Sequence, residues 1–139
     1  IRHGAWVPDR EIRLYHKGHA RWEGGLHACV HVHGAVGQLQ GIYRHYTYAD
    51  MLDHVRTINR YTTESAREMH EAGKRFSAFS LIGRPVARFL RDYILKRGFL
   101  DGLPGFVLAS TIAYSVFLKH AKLWEIDYIE AKRREDSGE

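Results

Sequence analysis

Residues 99–125 read Phe-Leu-Asp-Gly-Leu-Pro-Gly-Phe-Val-Leu-Ala-Ser-Thr-Ile-Ala-Tyr-Ser-Val-Phe-Leu-Lys-His-Ala-Lys-Leu-Trp-Glu. An acidic turn carrying Asp101, Gly102, Pro104 and Gly105 opens onto an uncharged run over 103–118. That run falls short of the roughly 20 apolar residues that a straight membrane-spanning helix needs. It is also longer and more apolar than the stripe of an ordinary surface helix. Lys119, His120 and Lys122 follow at once, then Trp124. Cations and an aromatic ring at the end of an apolar helix suit a lipid headgroup region. They equally suit a buried core helix whose C-terminal cations complement its dipole. Both readings stay open at this point. Within the turn, Asp101 is expected to cap the helix that follows, and Gly102 to allow the bend.

The segment just before this run adds charge to the question. It holds Lys74, Arg75, Arg84, Arg88, Arg91, Lys96 and Arg97 against Asp92 alone, an excess larger than the +5 of the whole chain. An anionic leaflet attracts such a segment by about 1 kcal/mol per cation near the surface. Pro85 is expected in the first turn of a helix, where its missing N–H costs nothing. That helix runs to about Arg97 and stops at Gly98. Arg84, Arg88 and Arg91 share one face, with Val86, Phe89, Leu90, Tyr93 and Ile94 on the other side.

Further upstream, Met51, Leu52, Val55, Ile58, Thr62, Ala66 and Met69 recur at helical spacing. Thr47 with Asp50 resembles a capping box, and Gly73 suits the C-terminal end. Residues 1–46 read instead as short strands and turns. Ile12-Arg13-Leu14-Tyr15 alternates apolar with polar. Over 26–33 the alternation is clean, Ala28, Val30 and Val32 facing one way and His27, Cys29, His31 and His33 the other. A second strand over 36–46 would close a hairpin with it. The charged end, 131–139, is expected to fray.

The totals bound the answer. A chain of 139 residues can bury one real core. One cysteine, Cys29, excludes an internal disulfide and fits a reducing compartment. The net positive charge favours a polyanionic partner. The chain begins at Ile1 without a signal-like segment, as if cut from a longer protein.

Few motifs carry chemistry on their own. His27, Cys29, His31 and His33 are all metal-ligand types on one face. Alternate residues of one strand stand about 6.6 Å apart, whereas zinc holds its ligands at about 2.1 Å. Four in a row therefore cannot close on one ion, and a wet histidine-rich face is the plainer reading. Arginines on one helix face could contact phosphates of a nucleic acid, but no zinc-finger spacing or aromatic platform accompanies them, so nucleic acid is disfavoured. No phosphate loop, nucleophile elbow or paired-carboxylate motif is present.

Taken in order, a set of short motifs resembles a known family. They are Trp6-Val7-Pro8-Asp9, Ile12-Arg13-Leu14-Tyr15, Leu26-His27, Gly37-Gln38-Leu39-Gln40-Gly41, His45-Tyr46, Asn59-Arg60-Tyr61, Gly98-Phe99-Leu100-Asp101-Gly102 and Ala121-Lys122-Leu123-Trp124-Glu125. Together they resemble the C-terminal half of bacterial family 2 glycosyltransferases, nearest to those of the lipopolysaccharide core described as beta-1,4-glucosyltransferases. The resemblance implies an α/β fold of GT-A type, Rossmann-like, of which this chain would be the C-terminal fragment. It implies inverting transfer of a sugar from a nucleotide-sugar donor to a lipid-linked saccharide acceptor, assisted by Mg or Mn. The donor half with its Asp-x-Asp motif would lie upstream, so the fragment alone is expected to be inactive.

Inverting transfer needs a base for the acceptor hydroxyl and positive charge on the leaving diphosphate. In the family pattern Leu26-His27 is followed by a glutamate, the expected base; here that position is Ala28. Alanine takes no proton, so either the base lies elsewhere, with Glu23 the nearest carboxylate, or this copy is impaired. Asp9 could position the acceptor. Arg13, His27, His45 and Arg60 are candidates for phosphate-bearing ligands, and His45 also for the metal. Arg84, Arg88, Arg91, Phe99, Phe106 and Trp124 are candidates for membrane contact.

The expected organisation is therefore a strand-rich acceptor-side part over 1–46, a helical membrane-docking region over 47–130 and a charged tail over 131–139. Three helices are expected, the last of them apolar and lying in or on one leaflet. The expected location is the cytoplasmic face of a bacterial inner membrane, with an anionic surface as partner. A non-catalytic, peripheral membrane-binding module with a basic amphipathic helix is the alternative.

Overall fold

A computed structural model describes residues 1, 3–6, 12–24, 29–40 and 48–137. The chain divides into two units, one of Pro8–Tyr46 and the other of Ile1–Val7 with Thr47–Glu139. Among the described residues, the secondary structure is mostly helical, with one two-stranded antiparallel sheet.

In the smaller unit, β1 (Ala20–Glu23) pairs with β2 (Cys29–Val32), placing Ala20 opposite Val32 and Glu23 opposite Cys29. The expected strand over 26–33 is thus present in part, but its partner differs. It pairs with the residues before it, and 36–40 form no strand; 41–46 lie outside the described residues. Nor do residues 12–15 form a strand, because a two-stranded ribbon offers them no ladder. Tyr15 is tied to β1 by a side chain instead, its hydroxyl accepting from Trp22 Nε1 at 2.8 Å. Along β2 the alternation holds: Val30 and Val32 are half-buried, Cys29 and His31 exposed.

The larger unit starts its first helix, α1 (Met51–Glu71), at an aspartate pair. Asp50 accepts from the Asp53 N–H at 2.8 Å, and Asp53 reaches back to the Ala49 N–H at 3.3 Å. These bonds satisfy amide groups that a helix start leaves unpaired. The cap thus lies three residues beyond the expected Thr47–Asp50 pair. Gly73, at φ +74°, ends the helix as expected. The buried positions of α1 are His54, Ile58, Thr62 and Ala66, a stripe spaced by four. Met51, Leu52 and Val55, expected in the core, are exposed, because that stripe turns them outward.

The second helix, α2, spans Ala78–Leu90. Pro85 sits inside it rather than in its first turn, depriving the Leu81 carbonyl of the usual amide partner. One π turn (Arg91–Leu95) follows, then Arg97 in the left-handed region at φ 57° and a 3₁₀ turn (Gly98–Asp101). The third helix, α3, spans Gly102–Ser137 and packs against both α1 and α2. It continues well into the charged segment expected to fray. Glu130 with Arg134 and Lys132 with Asp136 are spaced four apart there, which supports a helix, and the Ser137 hydroxyl bonds the Arg133 carbonyl at 2.7 Å.

The corner between α2 and α3 is built on glycine. A Cβ at Gly98 would stand 2.7 Å from the Asp92 carbonyl oxygen, and one at Gly105 would stand 2.0 Å from the Gly98 carbonyl oxygen. The N-terminal residues latch onto the same corner. The Gly4 N–H donates to the Lys96 carbonyl at 3.0 Å, and the His3 N–H to Asp101 Oδ2 at 2.7 Å. Asp101 thus anchors the chain start across 98 residues. At the other end, Asp127 of α3 accepts from the Phe76 N–H at 2.7 Å and lies 3.1 Å from His70 Nδ1, while Glu130 lies 2.8 Å from His70 Nε2.

Gly105→Ala should destabilise the chain by ~3 kcal/mol, the upper end of overpacking costs. Gly37→Ala, whose Cβ meets nothing within 4 Å, should leave stability unchanged; urea denaturation of both variants checks this.

Candidate functional site

Between α1 and α3 lies a cavity of about 230 Å³. One wall is aromatic: Trp6, Tyr48, Tyr61 and His54. Tyr48 stacks on His54 at 4.1 Å between ring centroids, and Trp6 stands 6.1 Å from Tyr48. The spacing of α1 produces this wall, because 54, 58, 61 and 65 recur on one side of a helix. The opposite wall comes from α3, through Thr111, Ile112, Ser115, Val116 and Lys119.

The hydroxyl groups divide by use. Thr62 donates to the Ile58 carbonyl at 2.8 Å, Thr111 to Val107 at 3.0 Å and Ser115 to Ile112 at 2.7 Å. Their protons are committed to the backbone, which leaves oxygen lone pairs as the polar lining. Thr57 and Ser65 also line the cavity. The cavity thus presents acceptors, aromatic faces and one ammonium group.

The electrostatics centre on Lys119. Burial lowers its pKa, and the nearby Arg84, Lys74 and Arg88 lower it further. Lys122, three residues on, is fully engaged: its Nζ reaches the Asn59 carbonyl and Oδ1 at 2.7 Å, Thr62 Oγ1 at 3.0 Å and Thr63 Oγ1 at 2.6 Å. His120 is buried, and its Nε2 finds no partner among the described residues. Burial lowers its pKa, with Lys119 and Arg84 adding to the effect; burial also lowers that of His54, against the pull of Asp53. Lys119, His120 and Lys122 therefore face into the helical unit: the first lines the cavity, the second is buried, and the third clamps α1. That corrects the headgroup reading of this trio.

A second cluster lies at the corner. Asp92 is 1% exposed and accepts from Arg88 Nε at 2.5 Å and Arg91 Nε at 3.2 Å. Two of the three arginines expected to meet a membrane are thereby held by a buried carboxylate. Arg84, Lys96 and Arg97 have no carboxylate partner among the described residues.

Comparison with known proteins gives these features a context. An uncharacterized glycosyltransferase of Rickettsia typhi is 31% identical over 125 residues, covering 83% of this chain and 43% of the relative. One of Rickettsia prowazekii is 29% identical over 124 residues, covering 82% and 42%. The lipopolysaccharide core biosynthesis glycosyltransferase LpsC of Rhizobium meliloti is 31% identical over 132 residues, covering 93% and 49%. The chain is homologous to bacterial glycosyltransferases. It spans less than half the length of the curated relatives it matches. No family model matches the chain, and no solved structure matches it.

The residues singled out by resemblance to such enzymes are described in part. Ala28, His27, Asp9 and His45 lie outside the described residues. Glu23 is exposed on β1, 3.8 Å from His31 Nε2 and 4.0 Å from Arg21 Nη1. Arg13 is exposed in the smaller unit, and Arg60 is exposed on α1, its guanidinium 5.2 Å from the centroid of the Tyr61 ring. Phe99 and Phe106 join an aromatic group with Phe89 and Tyr93 at the corner. Trp124 stacks on Tyr128 at 5.6 Å, far along α3. Among the described residues, no three His, Cys, Asp or Glu side chains converge as a metal site. Sequence reasoning missed the cavity; the spacing of Tyr48, His54 and Tyr61 with Thr57 and Ser65 was a visible signal for it.

The two buried histidines set a pH dependence. Their folded pKa values lie below the ordinary imidazole value of about 6.5, so below that pH the unfolded chain binds more protons. Their contribution to stability is whole above about pH 6.5 and is lost as the pH falls through the folded values. Denaturation midpoints should drop on acidification over that window, and His120→Leu should flatten the drop.

Proposed function

We propose that the chain is the acceptor-side, membrane-docking part of an inverting glycosyltransferase of GT-A type, acting in lipopolysaccharide or envelope polysaccharide assembly. The observation that carries this reading is the similarity to LpsC over 93% of the chain. Its donor would be a nucleotide sugar and its acceptor a lipid-linked saccharide. The divalent ion, Mg or Mn, would be held by a donor half beyond this chain, so the chain alone would not catalyse transfer. In the full-length enzyme, residues of the smaller unit around position 28 would stand at the acceptor hydroxyl.

The docking part of the reading is supported by apolar surface that the fold leaves uncovered. On α2, Phe79, Ile82, Val86 and Leu90 form a ridge at helical spacing, with Phe79 81% exposed. The ridge continues through Ile94, Leu95 and Leu100 at the corner. On α3, Leu103, Phe106, Tyr114, Phe117, Trp124 and Tyr128 are also exposed. At about 100° per residue they fall within a strip about 80° wide. Phe106 and Trp124 thus share a face although they stand about 27 Å apart along the axis. The segment Gly98–Ser137 is long and apolar enough to cross a membrane. Its other faces pack on α1 and α2, however, so a helix lying along one leaflet suits it better than a lone span. Lys96 and Arg97, at the corner where the ridge ends, would supply the electrostatic attraction to a cytoplasmic anionic leaflet.

Binding to vesicles with anionic lipid should fall about tenfold when Lys96 and Arg97 are neutralised together, and should be lost in Ile82→Asp with Phe79→Asp. Equal binding to neutral and anionic vesicles would remove the electrostatic argument. In the full-length enzyme, Ala28→Glu should raise sugar transfer to a lipid-linked acceptor; an unchanged rate would place the base elsewhere.

A further inference from the structure

The cavity between α1 and α3 has no role in the docking just described. Its α3 wall, Thr111 to Lys119, lies outside the exposed strip of α3, at least about 60° beyond either edge of it. If that strip meets the lipid, the α3 wall of the cavity is turned away from it. We propose that this cavity binds the phosphorylated saccharide end of the acceptor, one sugar ring with its phosphate. This assignment rests on the acceptor role proposed above for the choice of a sugar. The anionic part rests on the geometry of Lys119.

Three features of the cavity point to that class of ligand. Its volume, about 230 Å³, lies below the usual range of about 300–1,000 Å³ for drug-sized ligands. It therefore has room for one ring and its substituent, and not for a nucleotide sugar. Trp6, Tyr48 and Tyr61 offer flat apolar faces, which suit the C–H face of a pyranose. Thr111 and Ser115 present oxygen lone pairs, because their own protons bond the backbone. A ligand that donates O–H groups is what such a lining accepts, and a sugar has several.

Lys119 supplies the counterpart of a phosphate. It lines the cavity and has no carboxylate partner among the described residues. Three acids of the elements around it are held by other groups: Asp92 by Arg88 and Arg91, Asp127 and Glu130 by His70. Arg84, Lys74 and Arg88 lie near enough to repel its charge. A half-buried ammonium group among other cations is unfavourable until an anion joins it. A phosphate monoester, bearing up to two negative charges near neutral pH, answers that need better than a neutral sugar.

The test follows Lys119 directly in the 139-residue chain. Its lysines are carried as ¹³C-dimethyl derivatives, and the Lys119 resonance is assigned by its loss in Lys119→Met. The probes are glucose 1-phosphate, glucose, inorganic phosphate and vesicles containing phosphatidic acid. Saturable binding of glucose 1-phosphate, with a rise in the Lys119 pKa, is the expected result. Binding should weaken at least tenfold in Lys119→Met and in Tyr48→Ala, while Lys119→Arg retains it. Inorganic phosphate acting as strongly as glucose 1-phosphate would overturn the sugar half of the assignment. A Lys119 shift with phosphatidic-acid vesicles and none with glucose 1-phosphate would make this a headgroup site and overturn it. No shift with any probe would overturn it entirely. Vesicle binding and full-length transferase activity are read separately, and Lys119→Met should leave the former unchanged. Loss of docking with sugar-phosphate binding intact would count against the function proposed above and not against this site.

Discussion

At position 105 the backbone of α3 passes so close to the Gly98 carbonyl that a side chain of even one carbon has no room. The larger unit is arranged around that approach. It lets a π turn and a 3₁₀ turn bring the chain from α2 straight back along α3. It brings the Asp92 carboxylate inside, where Arg88 and Arg91 close over it. The chain start is drawn to the same place through Gly4 and His3. Because Trp6 follows directly, the corner also carries the aromatic edge of the cavity into position beside Tyr48 and His54.

The same packing sorts the cations by role. A basic segment next to an apolar helix looks uniform in sequence, but its members have different surroundings. Arg88 and Arg91 neutralise a buried acid, and Lys122 spends its donors on Asn59, Thr62 and Thr63. Lys119 is left with a cavity and with like charges around it. Arg84 turns away from the exposed ridge of α2 and adds to the charge around Lys119, while Lys96 and Arg97 stand at the corner. Desolvation and partner geometry separate these groups, and neither quantity is a property of charge order along the chain.

Much of the helical architecture was legible because it rests on local rules. The apolar run over 103–118, the basic segment ahead of it and the periodic stretch after Asp50 each became a helix. Their ends were less legible. The cap of α1 moved from Thr47 to Asp50, and Pro85 proved internal to α2, because tertiary packing tolerates a proline that local preference would place at a helix start. The strand over 26–33 was recognised from its alternation, yet its partner was not. A strand has two edges, and its own sequence does not say which neighbour will take them. The expected core of α1 also rotated: Ile58, Thr62 and Ala66 are inside, but Met51, Leu52 and Val55 are not.

By itself the sequence determined the helical periodicities, the net positive charge and the resemblance to bacterial glycosyltransferases that the relatives bear out. These are carried by residue types and by spacings of a few positions. Only the tertiary structure decided which apolar face stays uncovered, which cations are spent, and that Trp6, Tyr48, Thr111 and Lys119 meet around one cavity. Those residues lie more than a hundred positions apart at the extremes. What brings them together is a close backbone approach at two glycines, a contact that sequence spacing does not encode.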